Sequence, residues 1–98
     1  MSQVRLIKND GPATAAGTIL GSQNPTETNA WAEVTGLGTI PPGGSHLEIN
    51  ANAGAVRVAI LPPGHSVTMP LNNGHLIPSG AVYRNALAAG SRVFTKLP

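Results

Sequence analysis

His46-Leu47-Glu48-Ile49-Asn50, the turn Asn52-Ala53-Gly54, and Ala55-Val56-Arg57-Val58-Ala59-Ile60-Leu61 closed by Pro62-Pro63-Gly64 hold the clearest periodicity in the chain. Apolar residues recur at every second position, which is the spacing of a half-buried strand and not of a helix. Leu47 and Ile49 fall on one face of the first run; Val56, Val58 and Ile60 share a face of the second, with Arg57 opposite. The glycine and proline clusters on either side cannot continue a central strand, because proline lacks an N–H and glycine favours turns.

The same rhythm extends in both directions. Val4–Lys8 reads as a first strand ending in the turn Asn9-Asp10-Gly11-Pro12. Ala13–Leu20 is rich in Thr and Ala, and a polar loop is expected over Gly21–Asn29. Ala30–Val34 places Trp31 and Glu33 on one face and Ala32 and Val34 on the other. Ser66–Leu71 puts Val67, Met69 and Leu71 on one face, and Asn73-Gly74 between Leu71 and Leu76 is a strong hairpin signal. Gly74–Ile77, Ala81–Asn85 and Arg92–Thr95 complete the set, with at most one helical turn within Val82–Ala89. Short strands broken by Gly/Pro turns predict an all-β domain over 1–98, a small antiparallel β-sandwich or jelly-roll-like barrel of about eight strands. The expected core is Leu47, Ile49, Val56, Val58, Ile60, Val67 and Met69.

Composition sets further bounds. Val, Ile, Leu and Phe make up 23 of the 98 residues, just above the roughly 20% below which chains stay disordered. Only 10% of residues are charged, against about 25% in ordinary soluble domains. A thin core under a weakly charged surface points to burial supplied by partner subunits, hence to a homo-oligomer. The absence of cysteine excludes disulfides, zinc fingers and thiol chemistry. No apolar run approaches the roughly 18–20 residues of a membrane span, and Met1–Arg5 does not read as a signal peptide. The pI of about 9.7 rests on Arg5, Lys8, Arg57, Arg84, Arg92 and Lys96, no two of them adjacent, so no stripe tracks a nucleic acid.

Catalytic chemistry finds little to use. His46, His65 and His75 lack the spacing that presents two metal ligands on one helix face. Ser45-His46 and His65-Ser66 are neighbours, and neighbours on a strand point to opposite faces, away from a nucleophile–base bond. Asp10, Glu27, Glu33 and Glu48 lie in separate segments. Gly36-Leu37-Gly38 precedes no helix, so it is no phosphate loop. No enzyme activity, metal or cofactor is therefore expected. The residues expected at an interface are Trp31, Tyr83, Phe94 and Arg92, and the end segments Met1–Gln3 and Arg92–Pro98 are expected to add strands to a neighbour's edge.

Two turn-and-strand segments echo one another: Ile40-Pro41-Pro42-Gly43-Gly44-Ser45-His46-Leu47 and Leu61-Pro62-Pro63-Gly64-His65-Ser66-Val67. Taken with Val4–Asn9 and Gly11, the corner Leu61–Met69, Asn73-Gly74 and the ending Tyr83…Arg92-Val93-Phe94, the chain resembles small β-sandwich proteins of tailed-bacteriophage virions. The doubled Pro-Pro-Gly turn and the alanine-rich Ala86–Ala89 depart from that pattern. The resemblance implies a capsid decoration or cement subunit on the head exterior, made in the host cytoplasm. It would bind the major capsid protein or another virion protein as an oligomer, a trimer being favoured. The alternative it admits is a carbohydrate- or receptor-binding module of a tail or fibre, with Trp31 and Tyr83 as stacking rings.

Overall fold

Eight strands arranged in two sheets account for the framework of the computed structural model, which describes residues 2–8, 18–40, 45–64 and 74–98. They are β1 (Gln3–Lys8), β2 (Thr18–Gln23), β3 (Ala32–Glu33), β4 (Ser45–Asn50), β5 (Val56–Leu61), β6 (His75–Ile77), β7 (Val82–Leu87) and β8 (Arg92–Lys96). The first sheet runs β2-β1-β4-β7 and the second β3-β8-β5-β6, with every neighbouring pair antiparallel. The two sheets do not join into a closed barrel, so the fold is a small β-sandwich. Its thickness of 19 Å matches two layers packed roughly 10 Å apart with side chains on both outer faces.

Alternation decides which side chains meet between the sheets. Val4 and Leu6 pair with Ile49 and Leu47 on the adjoining strand, so four fully buried aliphatics form one row of the first sheet. Val56, Val58 and Ile77 answer from the second sheet, joined by Val93 and by Val34, Leu37, Ala51 and Leu87. Four of the expected core residues, Leu47, Ile49, Val56 and Val58, are buried there; Ile60 is only partly buried against the cluster. Val67 and Met69 lie outside the described residues, as do the Ser66–Leu71 strand, Asn73, His65 and the turns at 9–12 and 41–44.

Several boundaries differ from those expected. β2 continues through Gly21-Ser22-Gln23 in place of the expected loop, because each of these residues pairs with β1 despite lacking an apolar side chain. β3 contracts to two residues. Val82–Ala89 forms no helical turn: Val82–Leu87 is a strand in continuous register with β4. Among the described residues, the two end segments are taken up within the fold. Gln3 belongs to β1 and Arg92–Lys96 to β8, and both strands have partners on either side. Ser2 is buried with its hydroxyl 3.1 Å from Glu27 Oε2, and the Leu97 N–H donates to the Thr28 carbonyl at 2.7 Å.

Candidate assembly surface

Strand parity separates the four expected interface residues. On β8, Val93 and Thr95 face Ile60 and Val58, so Arg92, Phe94 and Lys96 project from the outer face of the second sheet. Phe94 nevertheless leaves only 3% of its surface exposed, with the Arg92 guanidinium carbon 5.3 Å from its ring centre. Phe94 is therefore buried within its own chain beside the Arg92 guanidinium. Trp31 lies on the same outer face, half-buried, with Lys96 Nζ 5.8 Å from its ring centre. Its ring also lies against Gly74 at the entry to β6, where a Cβ would collide with it. Tyr83 sits elsewhere, on the inward face at the edge of the first sheet, its ring 4.9 Å from that of His75 on β6. Trp31, just before β3 on the outer side of the second sheet, and Tyr83, on the inner face of the first, thus lie on different faces and do not form one stacking platform. Arg92 alone of the four is exposed.

The cations are engaged within the fold. Glu48 on β4 lies between Arg5 on β1 and Arg84 on β7, at 3.5 Å and 3.0 Å; all three share the outer face because they are directly opposite one another in the ladder. Arg57 Nη1 donates to the Gly74 carbonyl at 3.2 Å. Arg92 grips Glu33 through two hydrogen bonds, 2.8 Å and 2.6 Å. That hydrogen bonding holds the Glu33 carboxyl below its usual range and raises the Arg92 guanidinium, with burial opposing both shifts and charge attraction adding to them. A carboxyl with a depressed folded pKa adds stability above its unfolded pKa, and loses it as the pH falls through the folded value. The effect is confined to the acid side of about pH 4.5 and is screened by solvent. Arg92→Gln should move the Glu33 titration upward, towards the ordinary carboxylate value, when followed by carboxyl-carbon NMR. An unmoved midpoint would show that the pair is not formed in solution.

Other candidate chemistry stays dispersed. Ser45 is buried and its hydroxyl donates to the Leu87 carbonyl at 3.4 Å, whereas His46 projects from the opposite face. Among the described residues no three His, Asp or Glu side chains come together as metal ligands do. A pocket of about 200 Å³ beside β3 and β8 is lined by Glu33, Leu37, Ile40 and Arg92 among others, below the roughly 300 Å³ at which small-molecule sites begin.

What does gather at particular places is exposed aliphatic surface. Ile19 and Leu20 on β2, Leu76 on β6 and Val82 on β7 are the exposed large hydrophobic residues among those described. All four lie on strands at the edge of a sheet. Single exposed aliphatics are unremarkable, but these stand beside main-chain N–H and C=O groups that lack a neighbouring strand among the described residues. That is the chemistry of strand pairing with another chain. Sequence reasoning passed over them because alternation tells which face a residue occupies, not whether its strand is central or at an edge. No protein-family model, curated protein or solved structure matches the chain.

Proposed function

We propose that this protein is a non-enzymatic structural subunit of a tailed-phage particle, a capsid decoration or cement protein that binds the outside of the head as an oligomer. The particle is drawn from the resemblance of the Val4–Gly11, Leu61–Met69 and Tyr83–Phe94 segments to virion sandwiches. The mode of attachment is supported by one structural observation above the others: the exposed aliphatic side chains line the sheet edges. Apolar and main-chain contacts of this kind hold a partner without clustered charge. The described arginines are already engaged with Glu48, Glu33 or a carbonyl of their own fold, so few remain to track a phosphate backbone.

Purified protein should bind mature empty capsids saturably in a co-sedimentation assay and should remain bound in about 1 M NaCl, where the Debye length falls to roughly 3 Å. DNA binding near 0.15 M salt should be negligible, since phosphate-dominated affinity requires several cations acting together. Lack of affinity for any particle would remove the proposal. Release at moderate salt would replace apolar attachment by electrostatic docking, with Arg57, Arg84 and Arg92 as its first candidates.

A further inference from the structure

The four sheet edges are not equivalent. β3 has two residues and β6 three, the latter followed by Pro78, and β2 is interrupted by a register shift opposite Leu6 and Ile7. Short, proline-flanked or bulged edges are poor templates for pairing. β7 is the exception among the described strands: six residues in unbroken register with β4, without proline, and exposed at Val82, Arg84, Asn85 and Ala86. We infer that β7 is a self-pairing edge, which joins β7 of a second copy antiparallel across a two-fold axis at Asn85 and makes one continuous eight-stranded sheet.

The phase of the ladder shows which groups face away from β4. The Ala51 N–H donates to the Ala81 carbonyl at 3.0 Å, and these two residues continue the β4–β7 register by one step. Bonded and non-bonded pairs alternate in an antiparallel ladder. Tyr83, Asn85 and Leu87 therefore turn their main-chain groups towards β4, while Val82, Arg84 and Ala86 turn theirs outward. Among the described residues no strand of this chain lies on that side.

Symmetry and charge then select the register. Opposite residues of an antiparallel pair share a face, so a sheet that keeps its inner side inward must place one residue opposite its own copy. Centring on Arg84 would set two guanidinium groups against each other, and like charges directly opposite oppose pairing. Centring on Asn85 sets a carboxamide against a carboxamide, each offering both donor and acceptor. It also places Arg84 opposite Ala86, so that their outward main-chain groups exchange hydrogen bonds, and Tyr83 opposite Leu87. Arg84 enters the pairing already matched to Glu48, so no unpaired charge is desolvated. A second copy meets these conditions at once because Asn85 is complementary to itself. The inference is independent of what particle, if any, the protein binds. A six-residue edge contact is small, so the dimer belongs to the weak class of interfaces.

Sedimentation equilibrium of the full chain from about 10 µM to 1 mM should show a monomer–dimer equilibrium driven by mass action. Over the same range the Arg84 and Ala86 amides should exchange about tenfold more slowly with solvent, while the Ser22 amide on β2 stays unchanged. Asn85→Asp is near-isosteric at an exposed position. It should weaken the dimer about tenfold by replacing an amide pair with like charges. Ala86→Pro removes only an outward N–H, a place where edge proline is tolerated, and should leave a folded monomer. A wild-type protein that stays monomeric overturns the inference. So does a dimer indifferent to Asn85→Asp, or one whose Arg84 and Ala86 amides gain no protection. Dimerisation without capsid binding would leave it standing and remove the functional proposal alone.

Discussion

Leu47→Ala is expected to destabilise the protein by about 3–4 kcal/mol. Leu47 is fully buried, flanked by Leu6 on β1, and belongs to the cluster formed by both sheets. Removing its isobutyl group takes away the transfer free energy of the lost carbons and leaves a cavity that a sandwich fixed by paired strands cannot collapse. A domain of this size holds only about 5–10 kcal/mol in total, so a large part of its stability is at stake. Urea unfolding followed by tryptophan fluorescence should show a much lower midpoint with little change in slope. Val58→Ala, at 2% exposure, should follow at about 2–3 kcal/mol, and Ile60→Ala, only partly buried, at about 1–2 kcal/mol. A Leu47→Ala cost under about 0.5 kcal/mol, the range of surface sites, would mean that the register of β4 is wrong.

The ranking of those three residues shows where sequence alone succeeds. In β4 and β5 the polar positions between the aliphatics are His46, Glu48, Arg57 and the small Ala59, so alternation is clean and assigns the inner face correctly. Ile60 has the right parity yet is less buried than Val56 and Val58, since parity says nothing of how far along the strand the opposing sheet reaches. β2 is hidden for the opposite reason. Gly21, Ser22 and Gln23 carry no hydrophobic signal; they are held by main-chain pairing with β1, which leaves no mark on composition.

The burial of Leu37 is equally illegible. It follows β3 in a turn between Gly36 and Gly38, where no period exists to be read, and is buried as a member of the core cluster, its main chain lying against Gly21 of β2. Phe94 is hard to read because it is large and lies next to an inward-facing Val93. Both residues of the pair are buried, one on each side of the sheet. The edge positions of β2, β6 and β7, which carry the assembly proposals, depend on strand order. Strand order is set by long-range pairing that one sequence does not display.

The contact between β2 and that turn yields the second large effect. Gly21→Ala is expected to cost about 2–3 kcal/mol, in the range of forced overpacking. A Cβ at position 21 would point directly into the main-chain carbonyl of Leu37. Its backbone is not in the left-handed region, so the need for glycine here comes from close approach and not from an unusual φ. Backbone cannot swing aside as the end of a flexible side chain can. Either β2 must leave β1, with which Gly21 is paired opposite Leu6, or the 36–38 turn must withdraw and expose Leu37. The second route also strains the 2.6 Å hydrogen bond from the Gly36 N–H to Gln23 Oε1, which fastens the two sheets along this margin. Gly38→Asn supplies the contrast. Position 38 has φ near +80° and open space for at least 4 Å around the place a Cβ would take. Asn tolerates that conformation, so its cost should stay below about 1 kcal/mol. Urea midpoints of the two variants, measured side by side, separate the mechanisms. If Gly21→Ala were no more costly than Gly38→Asn, β2 and the 36–38 turn would not approach as closely as they do at this margin.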